Sequence, residues 1–443
     1  ASTIQQLAGA AVALPPDNQA HQLYVTGNYI FSPATKANFK YTYTHATQHE
    51  SFTGMGLSPA ATAPADLHGV VDTHLGQFNI SSRISKEFSI NGLVRFELRE
   101  DRTPRAVYNT SGAVNVLNNT MNWGSGTQRR AYAKLDGTYR LPDGYSLVGG
   151  FDWDRKSVPL PPNMSALFNN QVLFRSRLDE YGVRMELRKA LAATVNGALV
   201  AEYKERRGAG DWITTTGVTA TQNGTIPIDD ALSNRVLPDM YMDRNRTKLR
   251  GNLDWSPIDR MDLQAVLEHS QDNYNRRFLP TAATPIIPGA NDIYTDSLTA
   301  DGSYAFSDNW KANAFWTMST NRWSVNKASL LDDTRNRMHT IGIGIKGKVT
   351  GQLDIGADLL TTYDRTTFRN LPAGGNIAGW TGQLNPGNFL PSIHISSVKA
   401  KFFANYAVDK NSDIRADLVY QRYATDDWTW GYNGVPFLYM DNT

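Results

Sequence analysis

Cysteine is absent from all 443 residues. Without a thiol there is no disulfide, no thiolate metal ligand, no thiol nucleophile and no Cys-x-x-Cys-His attachment of a c-type haem. Also missing is any window approaching the 18 or more consecutive apolar residues of a membrane-spanning helix, and the mean hydropathy is negative. This does not exclude a membrane, because only alternate residues of a β-strand in a bilayer face lipid. Charge of one sign is not in excess either. The 44 basic and 42 acidic residues are interspersed, which leaves no basic tail of the kind that favours nucleic acid. No signal peptide opens the chain, and residues 1–18 form a mild, low-charge segment, so a targeting sequence would have been removed or lies outside this chain.

What the sequence does hold is alternation. Residues 334–369 read TRNRMHTIGIGIKGKVT, then GQ, then LDIGADLLTTYDRTTFR. Leu353, Ile355, Ala357 and Leu359 share one strand face, and Asp354, Gly356 and Asp358 share the other. Two such runs with a two-residue break predict a long β-hairpin. Strands of soluble domains run about 5–6 residues, whereas a tilted membrane-crossing strand needs about 9–11 plus wet ends.

The unit recurs along the chain. Hairpins are predicted over 21–49, over 70–101, over 127–156 with the turn LPDG at 141–144, and over 173–206. Others follow over 247–274, 293–323, 334–369 and 391–430. This gives sixteen strands in eight hairpins. Breaks within hairpins are short, at 32–35, 141–144, 257–259, 308–309, 351–352 and 409–412. Those between hairpins are long, near 50–69, 103–126, 207–239 and 370–389. Such asymmetry suits a membrane barrel with short periplasmic turns and long extracellular loops. Tyr29, Phe31, Tyr139, Tyr145, Tyr304, Phe306, Trp310, Tyr406, Trp428 and Trp430 sit near strand ends, where an aromatic girdle would meet headgroups.

Full charges alternate with the apolar residues. The candidates for an inward-facing, lumen-lining surface are Arg95, Glu97, Arg99, Lys134, Asp136, Arg184, Glu186, Arg188, Lys248, Arg250, Asp254, Lys399, Lys401, Arg415 and Asp417. Three uses fit them: plain lining balanced by neighbouring charge and water, contact with a protein held inside, or selection of small solutes. Mixed signs suit protein docking better than a steep ion filter.

The eight histidines read as structural or surface residues. His45 and His49, four apart on one strand, lie about 13 Å apart at Cα and cannot grip one ion. An Asp-rich stretch at 226–243 invites the question of a structural calcium ion, but its spacing matches no coordination loop. No Ser-His-Asp, paired-carboxylate or glycine-rich phosphate pattern stands out, so no catalytic or metal residue is assigned and no enzyme activity is expected.

The segment YAVDKNSDIRADLVYQRYATDDWTWGYNG (406–434) resembles the closing region of the MtrB/PioB-type family of decahaem-associated outer-membrane barrels. The stretches ALPPDNQAHQLYVTGNYIFSPATKANFKYTYT, YSLVGGFDWD (145–154) and YAFSDNWKANAFW (304–316) fit the same family. The resemblance implies an all-β fold in one domain, 1–443: a transmembrane antiparallel β-barrel in the bacterial outer membrane. At least sixteen strands would lie in this chain, as part of a larger barrel of about 26. It further implies a sheath around a periplasm-facing multihaem c-type cytochrome, presenting it to an outer-surface multihaem cytochrome. All haem would then belong to the partners, and this chain would contact only protein and outer-membrane lipid. The chain departs from the family in lacking an N-terminal Cys-x-x-Cys and a terminal aromatic residue in FLYMDNT, which suggests truncation at both ends. Two alternatives stand beside this reading: a porin passing small solutes through a polar lumen, with 207–239 as its constricting loop, and a soluble β-sandwich.

Overall fold

The computed structural model describes residues 17–54, 64–104, 107–108, 120–121, 126–157, 175–209, 212–214, 217–219, 239–274, 290–325, 331–370 and 392–427. Sixteen long strands form one antiparallel sheet in chain order. They are β1 (Asn18–Ser32), β2 (Thr35–Gln48), β3 (Gly69–Arg83), β4 (Phe88–Asp101), β5 (Gly126–Arg140), β6 (Tyr145–Ser157), β7 (Arg177–Ala192) and β8 (Val195–Gly208). The second half consists of β9 (Arg244–Trp255), β10 (Met261–Tyr274), β11 (Ala290–Tyr304), β12 (Trp310–Val325), β13 (Leu331–Lys348), β14 (Leu353–Asn370), β15 (Ile393–Ala407) and β16 (Asp413–Asp426). Two small ladders, Val107–Tyr108 with Thr120–Met121 and Trp212–Thr214 with Gly217–Thr219, stand apart from the sheet.

The expected closed barrel is not what the structure contains. Among the described residues each strand pairs with its sequence neighbours, but β1 pairs only with β2 and β16 only with β15, so the sheet is open. The edges show it. Every residue of β16 is exposed, as is nearly every residue of β1, because no further strand covers them.

Turn chemistry sets the hairpins. In the β5–β6 turn Pro142 is followed by Asp143 at φ 59° and Gly144 at φ 76°, both left-handed. Proline fixes the entry, and Asp and Gly are residues that tolerate positive φ. Two boundaries differ from the sequence-based ones. The β7–β8 turn lies at 193–194, because the ladder runs on through Ala192 and Val195. Only 326–330 separates β12 from β13, because both strands extend toward each other beyond the alternation that marks them. The remaining short breaks fall within a few residues of expectation, at 33–34, 141–144, 256–260, 305–309, 349–352 and 408–412, and all lie at one end of the sheet.

A one-layer sheet has two open faces and little interior. Among the described residues the fully buried hydrophobic ones are Ala37, Val148, Leu178, Met242 and Tyr274. Large apolar side chains are instead exposed in rows: Val94 and Phe96 on β4, Val183 and Met185 on β7, Ile341 and Ile343 on β13. Water alone does not tolerate apolar patches of this extent, which mark a membrane or partner surface.

Candidate functional site: the charged face

Because side chains alternate and the register is continuous, the pairing assigns each strand residue to one of two faces. The fifteen charged candidates all fall on the same one. Arg95 stands opposite Tyr132, two residues from Lys134, and Lys134 opposite Asp152. Arg184 stands opposite Glu202, Glu202 opposite Lys248, and Arg250 opposite Glu268. Lys401 is level with Asp358 on one side and Val419 on the other.

The charges on this face are mostly spent on one another. Arg95 reaches Glu97 at 2.9 Å, and Lys134 reaches Asp136 at 2.7 Å. Arg184 bridges Asp136 at 3.1 Å and Glu186 at 3.5 Å, while Arg188 meets Glu186 at 2.5 Å. Lys248 and Arg250 share Glu268 at 2.8 and 2.6 Å. Lys401 and Arg415 share Asp417 at 3.0 and 2.9 Å. Arg99 lies 3.9 Å from Asp101, and Asp254 accepts from the Gln264 amide at 2.6 Å. Lys399 has no ion-pair partner among the described residues. Half-exposed pairs of this kind contribute about 0.2–1 kcal/mol each.

Sequence reading missed the part of this network nearest the long connections. Arg244 holds Glu180 at 2.7 Å and Asp272 at 3.5 Å, and Arg246 grips Asp272 in a two-pronged contact at 2.5 and 2.6 Å. Lys204 meets Asp152 at 3.1 Å, and Arg130 meets Asp154 at 2.7 Å. Beyond the strand ends the buried Arg175 binds Asp243 at 2.5 Å, and Asp243 also accepts from the Gly208 amide at 2.8 Å. Beside it, burial raises the pKa of the Tyr241 phenol. The signal was available: Arg244, Arg246, Lys248 and Arg250 are basic at every second position. The calcium question at 226–243 lies largely outside the described residues, and Asp243 itself is engaged by Arg175.

No histidine of the strands stands on the charged face. His21, His45, His74, His269, His339 and His394 all project from the apolar one. His45 and His49 do not act together. His45 donates from Nδ1 to Asp72 at 2.7 Å, and Asp72 also accepts from the Tyr43 hydroxyl at 2.8 Å and pairs with Arg102 at 2.9 Å. His49 instead comes to Asp66 and His68, and ligand atoms of the three lie within 4.8 Å of one another. These donor types suit a divalent transition cation. In the structure Asp66 is already occupied: it accepts from the His68 amide at 2.6 Å and contacts the His68 ring. The loop base is closed by the Ser51–Asp66 bridge and by Phe52 N donating to Ala65 O at 2.9 Å.

Comparison with known proteins places this geometry. The chain is 20% identical over 440 residues to outer membrane protein MtrB of Shewanella baltica (strain OS185), covering 94% of this chain and 54% of that protein. It therefore spans about half the length of this curated relative. Among solved structures it is similar to the ferripyoverdine receptor of the outer membrane of Pseudomonas aeruginosa, at 11% identity and a TM-score of 0.50, over 94% of this chain and 56% of that one. The FpvAI–pyocin S2 complex gives 10% identity and a TM-score of 0.50 over 93% and 56%. At such identities the likeness shows the fold alone. A family model described as a putative outer membrane beta-barrel porin, MtrB/PioB, matches residues 2–442. The chain thus belongs to the MtrB/PioB family of outer-membrane proteins.

Proposed function

We propose that this sheet is the wall of an outer-membrane sheath, with its apolar face toward lipid and its charged face toward a multihaem c-type cytochrome. The cytochrome enters from the periplasm and passes electrons across the membrane to a multihaem cytochrome at the outer surface. The observation that carries the reading is the segregation of charge. A Lys or Arg at the bilayer midplane of a lipid-facing strand costs roughly 2–4 kcal/mol. Arg184, Arg188, Lys248 and Arg250 together would then cost on the order of 10 kcal/mol, as much as a whole domain's stability. On the apolar face the basic residues of the described strands lie toward the strand ends, where the penalty falls to about 0–1 kcal/mol, so this face is the one that meets hydrocarbon.

The division of labour follows from the chemistry. A chain without cysteine forms no thioether bond to haem, and its charged face offers no strand imidazole to compete for haem iron. Its contribution is a dry wall outside and a surface of mixed charge inside, where complementary patches fix a partner's register. The short turns face the periplasm, and the long connections lie outside near the outer-surface partner.

Co-purification in mild detergent, followed by a haem absorbance spectrum, tests the proposal. Haem in stoichiometric ratio to this chain is the expected result. Protein isolated intact at native levels with no multihaem cytochrome, and passing ions or sugars when placed alone in liposomes, would overturn it in favour of a porin.

A further inference from the structure

The outward, apolar face of β12–β14 carries an arrangement that the sheath role does not use. Toward the long-connection end, Arg322 on β12 stands directly opposite Arg335 on β13. One row nearer the middle, Arg337 on β13 stands directly opposite Arg365 on β14. All four are exposed. Facing residues of an antiparallel pair lie about 4.5–5.5 Å apart at Cα, and like charges so placed repel.

Elsewhere along the same rim of this face, several such charges are neutralised. Arg155 and Arg177 share Asp179 at 2.5 and 3.2 Å, and Arg207 meets Glu205 at 2.7 Å. For the arginines of β13 and β14 no such pair is formed among the described residues. Arg335, Arg337 and Arg365 form no ion pair with any described residue; Arg365 donates only to the Ser392 hydroxyl at 3.2 Å. The outward carboxylates of β11 are engaged elsewhere, Asp296 by His269 at 2.6 Å and Asp292 by the Asn273 amide at 2.8 Å. The position along the strand is equally informative. Below the arginines comes a row with His339 opposite Tyr363, and below that the rows of Ile341, Ile343 and Ile345. Apolar band, aromatic row and cationic rows follow one another as hydrocarbon, interface and headgroup do.

We propose that Arg335, Arg337 and Arg365, with Arg322 beside them, bind the phosphates of an outer-leaflet glycolipid whose acyl chains lie against Ile341 and Ile343. Guanidinium matches phosphate in two-pronged, charge-assisted geometry. A bound dianion turns the repulsive Arg337–Arg365 cross-strand pair into a bridged one. Lipid supplies both halves of the site, whereas a free anion would leave the apolar rows without a role. The inference rests on the functional reading in placing the apolar face toward lipid and the long connections outside.

The test uses the full chain in mild detergent, offered bisphosphorylated lipid A, the same lipid A dephosphorylated, or inorganic phosphate. Retention of the bisphosphorylated form about tenfold above the dephosphorylated one is expected, and R335Q/R337Q/R365Q should erase that preference. R337Q/R365Q alone should reduce it, which keeps the test available if the triple variant assembles poorly. Equal retention of both lipids by the unmodified chain, an unchanged preference in the variants, or inorganic phosphate displacing the lipid at equal concentration would each overturn the proposal. Haem absorbance in the same samples separates the two readings: the arginines lie on the face opposite the charged one, so cytochrome retention should not follow the lipid.

Discussion

Asp152 on β6 and Lys204 on β8 meet at 3.1 Å although β7 runs between them. The residue of β7 that they cross is Gly182, where an added Cβ would fall 2.4 Å from an Asp152 carboxylate oxygen. One strand earlier the device repeats: Asp136 on β5 reaches Arg184 on β7 at 3.1 Å over Gly150 of β6. In both cases the missing side chain is the passage through which charge is shared beyond nearest neighbours. This makes the charged face a connected network instead of a set of two-strand pairs.

Replacing Gly182 with Val should therefore split Asp152 from Lys204 without touching a charge. Both groups retain some solvent, so the loss should be no more than about 1 kcal/mol. It would appear as a modest fall in thermal midpoint in detergent. A drop as large as that of a core truncation would mean that Gly182 has a packing role not explained by the ion pair.

Charge reversal at Arg184, Arg188, Lys248 and Arg250 together addresses function. It leaves Glu186 and Glu268 facing new negative charge, since those carboxylates are the partners of all four. The expected outcome is weaker retention of cytochrome, read as haem per chain, with the protein still in the membrane fraction. Undiminished haem would show that partner contact lies elsewhere on this face.

Much of this architecture was legible from period-two alternation, and the charged side of β4, β7 and β9 could be listed from sequence because every second residue there is ionic. What escaped was set by pairing at a distance. Sequence holds no sign that Lys204 crosses a glycine to reach Asp152, and Glu180, Arg244 and Asp272, near the long connections, are not among the lumen-lining candidates read from it. Asp72 shows a different limit. It belongs to the apolar side of β3, between Val70 and His74, where alternation alone predicts no carboxylate. Only the register brings Tyr43, His45 and Arg102 around it. Closure was misjudged because strand count and strand length are local, whereas closure depends on what pairs with the first and last strands.

Asp72 is 1% exposed and takes three donors, so its removal should be costly. In D72A the hydroxyl, imidazole and guanidinium lose their common acceptor. Breaking a buried charged contact of this kind costs about 3–5 kcal/mol when a charge is left uncompensated, and less where Arg102 swings to water. Thermal unfolding in detergent should register a loss larger than for G182V. A loss no greater than that would mean that the cluster is solvated in the membrane-bound protein.

The open edges make the last prediction. Interior strands such as β13 give ladder bonds to both sides, from β12 and from β14, whereas β1 and β16 leave alternate amides and carbonyls without a strand partner. An unpaired backbone group in hydrocarbon costs several kcal/mol, so exposed edges are the weakest part of a sheet in a membrane. For this chain isolated in detergent, amide hydrogen exchange should be fastest in β1 and β16 and slowest in β13 and β14, with protection rising inward from both edges. The gradient should be symmetric, because both ends of the sheet lack a neighbour for the same reason. Equal protection of β1, β13 and β16 would show that something covers the edges in solution, and the open sheet would then not describe the isolated protein.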